Sequence, residues 1–417
     1  MDYFDANVNV SDEDLALKEA AHKFAEEVMR PVSKELDLMS PDQVVAKGSP
    51  LWGFLKEAYE LGYHKVLMPD HVGGLGLTPN QVHLVYEELG WGSFGLAVQL
   101  AVVCFPFYVA VMTGNEELIE KFVVPFCQCR DGSIRGCWAI TEPEHGSDQL
   151  CIGETFFSSP ECRSSVRGRL DGDSYVISGQ KSAWVSGGTI ATHALLHVQL
   201  DPSQGMAGCG VCVVPLDLAG ISRGKPLNKI GQRDLNQGEI YLDDVRIPKP
   251  YMMVEPDFYE PLLEMILASA NICMSTWSTG LARAAFEEAF AYSKERVQGG
   301  RPIIEHYSVK QRIFQMFARV ETCRAVSRMA ANLNFNISPP HAEYSLLAKI
   351  TATQMCFENA HEAIQILGGN GLSREYVVEK LFRDARATLI EDGNNETLAR
   401  HGGHLLAKTY PRDQRGV

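Results

Sequence analysis

The chain has 417 residues, 45% of them hydrophobic and 22% charged, so it can bury a large core and is not a disordered chain. Its 38 lysines and arginines face 52 aspartates and glutamates, and the formal net charge of −14 argues against a surface for nucleic acid or an anionic membrane. At about 100–200 residues per domain, the length predicts two to three domains. The eleven scattered cysteines are typical of a reduced, intracellular protein without a disulfide framework.

The first third of the chain has a helical pattern. Ser11 precedes three acidic residues and an apolar pattern at helical spacing, which predicts an N-capped helix that ends at Pro31. Further helices are predicted over about 51–62, 79–90 and 95–128. The acidic N-terminal segment lacks the basic and apolar regions of a signal peptide, and no apolar run approaches the ~20 residues that span a bilayer. We therefore expect a cytoplasmic protein that does not cross a membrane.

Short alternating and β-branched runs replace this pattern from Ser133 to about Pro250, with Gly, Asp, Ser and Pro between them. These runs predict an antiparallel β domain. Cys209 and Cys212 have the spacing of a redox or zinc motif, but they lie in one such run without a second Cys or His pair nearby. We therefore predict buried strand cysteines and no metal site.

Long helical patterns return after Pro256, at about 258–297, 308–334, 341–368 and 375–387. The layout is thus α, then β, then α, which predicts an α+β protein. The absence of strand–helix alternation and of GxGxxG argues against a nicotinamide-binding Rossmann domain. The predicted domains are an N-terminal helical domain, 1–132, a middle antiparallel β domain, 133–252, and a C-terminal helical domain, 253–417.

Two segments have features of a ligand-binding site, and the first could hold a flat heterocycle or a pyrophosphate. Residues 138–148, WAITEPEHGSD, are a strand that runs into a tight turn rich in hydroxyls and exposed amides, for which an ordinary β-turn is the alternative. Residues 365–385, QILGGNGLSREYVVEKLFRDA, contain glycines that allow a ligand to approach the backbone closely.

Together these two segments resemble the acyl-CoA dehydrogenase family, and the α–β–α layout extends the resemblance over essentially the whole chain. The resemblance implies the fold of that family with a C-terminal four-helix bundle, FAD as cofactor, an acyl-CoA substrate, an electron-transfer flavoprotein as acceptor and a homotetramer. Further family motifs occur in the family order: GQK at 179–181, KIG at 229–231, LDDVRIP at 242–248 and RVQGGRPI at 296–303.

By the same resemblance, two groups of residues bind FAD. Four would lie along the flavin: Ile140, Thr141, Gly146 and Ser147. Trp184 and Ser186 would cover its other side, although this tryptophan stands one position later than usual. Ser147 and Gly393 would also contact the substrate. The residues that would reach the FAD of a neighbouring subunit are Arg296, Gln298, Gln365, Gly368 and Gly369.

The family reaction removes an α-proton from the thioester with a carboxylate while the β-hydrogen leaves as hydride to flavin N5. Counting from Arg383-Asp384-Ala385, the usual glutamate base corresponds to Asp392, whose shorter side chain sets the carboxylate about 1–1.5 Å further back. Relatives that act on nitroalkanes also use an aspartate base. Glu391 replaces a family aromatic; it is either a second carboxylate that raises a pKa by repulsion or a solvated or salt-bridged residue.

Other positions also depart from the family pattern. Ala270 and Asn271 occupy the positions of the alternative base and of a CoA-binding arginine, and about a dozen residues, 153–163, are inserted after the flavin turn. Trp91 and Phe94 would line an acyl pocket for a flat, cyclic or branched group, unless they are core residues.

The alternative functions are an oxidase or a non-redox lyase on the same scaffold, and a catalytically inactive acyl-CoA-binding or flavin-binding protein.

Overall fold

The computed structural model describes residues 10–410. The predictions for the first nine and the last seven residues, including that of no signal peptide, lie outside the described residues. The described N-terminal part is helical. Its helices are α1 Asp12–Phe24, α2 Arg30–Leu38, α3 Pro41–Val45, α4 Pro50–Glu60, α5 Pro79–Gly92, α6 Phe94–Val102, α7 Phe105–Thr113, α8 Glu116–Leu118 and α9 Val124–Gln128.

Two helix predictions in this part are wrong at their ends. Ser11 caps α1 as predicted, but Pro31 does not end the helix, because it stands in the first turn of α2, where no N–H is needed. A π-helical turn, Ala25–Met29, joins α1 to α2. The helix predicted over 95–128 is divided, since Gly114 adopts a φ of 65° and ends α7.

A sheet of eight strands forms the middle part. Its strands are β1 Gly136–Ala139, β2 Arg167–Asp171, β3 Ser174–Lys181, β4 His193–Gln199, β5 Cys209–Pro215, β6 Ile221–Arg223, β7 Ile240–Pro248 and β8 Met252–Val254. Seven of them follow the order β6-β7-β3-β2-β4-β5-β8, and β1 pairs with β4 off this path. The pairing is antiparallel except that β4 runs parallel to β1 and β2, so the sheet is mixed where the sequence predicted an antiparallel one. Cys209 and Cys212 are buried in β5, as predicted.

The C-terminal part consists of long helices and one short hairpin. Its elements are α10 Tyr259–Glu295, β9 Val297–Gln298, β10 Arg301–Pro302, α11 Tyr307–Asn334, α12 Ala342–Leu367, α13 Val378–Thr388 and α14 Asn395–Thr409. Helices α10 to α13 are the four predicted ones, and α10 packs against the other three. Helix α14 was not predicted from the sequence. Asn394 caps it, because its Oδ1 accepts the Thr397 N–H at 2.8 Å.

Helix α10 also packs against α5, which joins the N-terminal and C-terminal parts. The backbones approach closely at two glycines, since a Cβ atom at Gly280 would lie 2.1 Å from the Glu87 carbonyl oxygen, and one at Gly90 would lie 2.4 Å from that of Trp277. Side chains at these positions would separate the two helices.

Over residues 10–410, no single helix is long and apolar enough to cross a membrane. Helices α6 and α7 would pass that test as a pair by length and composition, with a bend of 43° between them. Ten of the eleven cysteines are buried, and Cys162 is half-buried.

Candidate active site

A buried ion pair fixes the predicted flavin turn, residues 140–148. Lys181 Nζ lies 2.7 Å from Glu142 Oε1, and neither side chain is exposed. Lys181 also donates to the Ile140 carbonyl at 3.0 Å, and Glu142 accepts the Ser165 N–H at 2.5 Å. Burial by itself would raise the pKa of Glu142, but Lys181 and these donors hold it below its usual value. The carboxylate is therefore charged and keeps the turn in one conformation.

The segment predicted to cover the other face of a flavin lies beside this turn. The Ser182 N–H donates to the Thr141 carbonyl at 2.9 Å. Ser186 Oγ accepts a hydrogen bond from Gln237 Nε2 at 3.1 Å, and the Trp184 side chain is 58% exposed. An exposed indole beside an ordered turn is a surface that a planar ligand can cover.

Both predicted catalytic carboxylates belong to the carboxylate loop, residues 391–395, which lies between α13 and α14 and includes the first residue of α14. This loop touches the flavin turn directly, because the Asn394 N–H donates to Ser147 Oγ at 3.0 Å. Asp392 adopts a φ of 50°, which is unfavourable for most side chains and is tolerated best by Asp and Asn among them. The structure thus brings Ser147 of the flavin turn next to a loop that contains Asp392 and Gly393 and whose backbone is strained at Asp392.

Burial raises the pKa of both half-buried carboxylates. It raises the pKa of Asp392 to about 6, against an opposing effect of Lys349. The pKa of Glu391 rises to about 7, because burial and repulsion from Asp392 outweigh the effects of Lys229, Gln232 and Lys349. At neutral pH Asp392 is therefore mostly ionised, and a carboxylate with a pKa in this range is suited to act as a general base.

A buried lysine of α12 is hydrogen-bonded to the carboxylate loop. Lys349 Nζ donates to the Gly393 carbonyl at 2.7 Å and to Asn395 Oδ1 at 2.9 Å. Thr353 Oγ1 accepts a hydrogen bond from Asn395 Nδ2 at 3.0 Å. Burial lowers the pKa of Lys349 to about 8, and Asp392 acts in the opposite direction.

Glu391 is bound to the segment between β6 and β7. Gln232 Nε2 donates to Glu391 Oε1, and the Gln232 N–H donates to Asp384 Oδ1 at 2.5 Å. Lys229 Nζ donates to the Leu235 carbonyl at 2.8 Å and not to Glu391. Glu391 is thus hydrogen-bonded and half-buried, and both of its predicted roles stay predictions.

Asp384 belongs in turn to a set of buried polar groups that we call the buried junction. Lys380 Nζ lies 2.5 Å from Asp384 Oδ2 and 3.3 Å from Asp234 Oδ2. Asp234 Oδ2 also accepts the hydroxyls of Ser33 at 2.5 Å and Ser93 at 2.6 Å. The buried junction therefore links the helical N-terminal part, the sheet part and α13 in one network.

Comparison with known proteins decides the family. Three models match successive stretches of the chain, described as the acyl-CoA dehydrogenase N-terminal domain over 11–130, middle domain over 137–245 and C-terminal domain over 263–404. The chain belongs to the acyl-CoA dehydrogenase family. It is therefore an oxidoreductase and a flavoprotein, and its cofactor is FAD, as predicted.

Individual relatives agree with this assignment. The mitochondrial short-chain specific acyl-CoA dehydrogenase of Bos taurus is 28% identical over 396 residues, which cover 94% of this chain and 90% of that protein. The structure of butyryl-CoA dehydrogenase from Megasphaera elsdenii matches with a TM-score of 0.84 at 25% identity, over 96% of this chain and 100% of that one. A nitroalkane oxidase, crystallized with 1-nitrooctane as an active-site Asp-to-Asn mutant, matches with a TM-score of 0.87 at 20% identity, over 97% and 98% of the two chains, which shows the shared fold.

The second predicted group of FAD-binding residues of this acyl-CoA dehydrogenase lies at the ends of α10 and α12. Asn370 Nδ2 donates to the Tyr292 hydroxyl at 3.0 Å and so ties the two ends together. All five predicted residues of the group are exposed, and a Cβ atom at either glycine would meet nothing within 4 Å, so the backbone there is open to a ligand. They are Arg296, Gln298, Gln365, Gly368 and Gly369.

The two residues predicted for the acyl pocket have other contacts. Trp91 Nε1 donates to Glu287 Oε2 at 2.6 Å, and the guanidinium of Arg30 lies 3.6 Å from the centre of its indole ring. Phe94 is fully buried and packs edge-on against Trp277. These contacts favour the alternative that both are core residues, and the pocket role stays a prediction.

The inserted residues 153–163 lie between the flavin turn and α14. Arg400 forms an ion pair with Glu154 at 2.9 Å, and a Cβ atom at Gly153 would lie 2.6 Å from His404 Nε2. Phe157 is fully buried and anchors the insertion. The insertion therefore contacts the helix that follows the carboxylate loop.

Sequence reasoning missed Lys349 and Gln232. The signal for Lys349 was present, because it is a lone lysine on a helix face that otherwise carries buried residues such as Leu346 and Cys356. Gln232 gave no signal, since only the fold brings it to Glu391 and since its φ of 48° is not visible in the sequence.

Proposed function

We propose that this acyl-CoA dehydrogenase removes the α-proton of an acyl-CoA thioester with Asp392 and so forms an α,β-unsaturated thioester. One observation carries the proposal: a half-buried carboxylate with a pKa of about 6 lies in a loop that is hydrogen-bonded to the flavin turn through Asn394 and Ser147. A base of this kind is ionised at neutral pH and is not strongly hydrated.

Bound FAD would supply the acceptor for the β-hydrogen, which leaves the substrate as hydride. The protein residues orient the substrate and move the proton. The α-carbon of the thioester faces the Asp392 carboxylate, which takes the proton onto one of its oxygens. Ser147 and Gly393 contact the thioester, and the strained loop keeps the shorter aspartate side chain close enough for the transfer.

The proposed FAD contacts fall into two groups that fit one cofactor shared between subunits. The flavin turn and the segment at 184–186 are adjacent, and the exposed Trp184 offers a planar surface on one side of the space beside them. The exposed ends of α10 and α12 form the second group, which supports binding of a neighbouring subunit's FAD and hence a homotetramer. We propose an electron-transfer flavoprotein as acceptor.

The substrate class rests on the family and not on a CoA-specific contact. Asn271, at the position of the family arginine, is fully buried in α10, and its Nδ2 donates to the Leu267 carbonyl at 2.8 Å. This side chain is therefore turned toward its own helix, and the CoA group must be held by other residues.

An oxidase is the second candidate, and Asp392 is the observation that favours it. The related nitroalkane oxidase was crystallized with an active-site aspartate replaced by asparagine. If this chain is an oxidase, aerobic turnover of a nitroalkane produces hydrogen peroxide, whereas the proposed dehydrogenase reduces its flavin only with a thioester.

The test is an anaerobic titration of the FAD-loaded protein with straight-chain, branched, alicyclic and aromatic acyl-CoA thioesters, followed by flavin absorbance. We expect one acyl class to bleach the flavin. Asp392→Asn should slow bleaching by about 10²–10⁴-fold with ligand binding retained. Glu391→Gln is the matched control, because it keeps the acceptor for Gln232, and it should lose less than Asp392→Asn. Undiminished bleaching in Asp392→Asn would remove Asp392 from the mechanism.

A further inference from the structure

Lys349 is an unusual residue for the middle of a helix. It lies on the face of α12 that packs into the protein, and its side chain is fully buried. A buried ammonium is unfavourable unless hydrogen bonds and a counter-charge compensate it, whereas a methionine of similar length would pack there without that cost. Packing alone therefore does not explain why a charged side chain occupies this position.

The direct partners of Lys349 are both in the carboxylate loop and both are neutral. They are the Gly393 carbonyl at 2.7 Å and Asn395 Oδ1 at 2.9 Å, which flank a residue whose amide is itself bonded to Ser147. These bonds hold the two residues on either side of Asn394, the residue that is bonded to the flavin turn. The compensating negative charge comes from the carboxylates at the start of the same loop, Asp392 and Glu391.

We propose that Lys349 is a positioning residue for proton abstraction: it holds the carboxylate loop in its strained conformation and keeps Asp392 ionised at the pH of the reaction. The inference rests on the proposed function of Asp392. It assigns to Lys349 two separable effects, one through its hydrogen bonds and one through its charge.

The charged and titratable groups around Asp392 support the assignment. Lys349 approaches from α12, Cys273 from α10 and Glu391 from the same loop. Burial raises the pKa of the Cys273 thiol, so this group is neutral. Lys229 acts on Glu391 and carries bonds of its own. Lys349 is thus the cation that opposes the effect of burial on Asp392.

The experiment measures the pH dependence of flavin reduction by the best thioester of the panel in three variants. Lys349→Met removes the charge and the hydrogen bonds; we expect the acid limb of the profile to move up by about one pH unit, from about 6 to about 7, so that the rate falls about tenfold near pH 5, about twofold at pH 7, and recovers at higher pH. Lys349→Arg keeps the charge and should keep the limb near its original pH even if the rate falls.

Thr353→Val is the matched control for the hydrogen bonds. It removes the hydroxyl that accepts from Asn395 but leaves the charge of Lys349, so the acid limb should stay in place whatever the rate. The charge effect would be overturned if the acid limb of the pH profile did not move in Lys349→Met, or if it moved by the same amount in Thr353→Val. If Asp392→Asn is fully active, the proposed function fails; if Asp392→Asn is inactive and the limb of Lys349→Met is unmoved, the Lys349 inference alone fails.

A double-mutant cycle keeps the inference testable if Lys349→Met is poorly folded. At pH 7.5, Lys349→Met should lower the melting temperature less in an Asp392→Asn background than in the parent. In that background residue 392 carries no charge that the loss of Lys349 could leave unpaired. Equal losses in the two backgrounds would show that the two side chains are not coupled.

Discussion

Asp392 combines two properties that are unfavourable for folding. Its backbone is in the left-handed region, with a φ of 50°, and its carboxylate has a pKa of about 6 because of burial. Strain and burial of this kind persist where the surrounding structure imposes them, and they concentrate at functional sites. The residue that we propose as base is thus also one that lowers the stability of the protein.

This residue predicts a pH-dependent effect on stability. A carboxylate whose pKa is raised from 3.8 to about 6 on folding favours the folded state below pH ~4, and that contribution is lost as the pH rises through about 6. Asp392→Asn has no ionisation to lose, and Asn tolerates the same backbone conformation. We expect its melting temperature to exceed that of the parent by about 1–3 °C at pH 7.5 and to match it near pH 4. A variant that melts below the parent at pH 7.5 would contradict the assignment of the raised pKa.

At the scale of elements, local signals in the sequence predicted most of the fold. The N-cap at Ser11, the four helices α10 to α13 and the strand runs were all visible in the pattern of residues. Helix α14 was missed because its apolar residues are few and its partner surfaces come from distant segments. The direction of β4 relative to β1 and β2 was also missed, since alternation along a strand says nothing about the direction of its neighbours.

The contact between α5 and α10 gives a prediction about packing. Gly280→Ala would place a Cβ atom 2.1 Å from the Glu87 carbonyl oxygen, so the helices must separate. We expect the free energy of unfolding to fall by about 1–3 kcal/mol, seen as a lower melting temperature with FAD bound. The control is Gly403→Ala in α14, where nothing lies within 4 Å and the melting temperature should stay the same or rise. Equal behaviour of the two variants would show that the close approach is not needed.

At the scale of the whole molecule, the buried junction connects parts of the chain that no single helix or strand connects. It joins a serine of α2, Ser33, to Asp234 of the sheet part and to Lys380 of α13, all buried. Through Asp384 and Gln232 it continues to Glu391, so the candidate site and the contacts between the parts share one set of hydrogen bonds. The resemblance led to Asp392 and the flavin turn, but no motif marks these partners, because they meet only after the three parts have packed.

Removal of the cation from this network should be strongly destabilising. Lys380→Met leaves the carboxylates of Asp234 and Asp384 buried without the cation that is bonded to both, for which we expect a loss of about 3–5 kcal/mol. The loss should be smaller at pH 5 than at pH 8, because protonation relieves the unpaired charges. Arg400→Met, which breaks the exposed pair with Glu154, is the control and should change stability by less than about 1 kcal/mol. A similar, pH-independent loss in both variants would contradict the role of the network.

The insertion at 153–163 has one more consequence, for chemical labelling. Cys162 is half-buried within it, while the other ten cysteines are buried, so a maleimide reagent should modify this position first without any engineered cysteine. Burial raises the pKa of its thiol, which means that the reaction should be slow at neutral pH and faster in mild alkali. Because the insertion packs against α14, a fluorophore attached there would report on ligand binding at the neighbouring carboxylate loop from the native sequence.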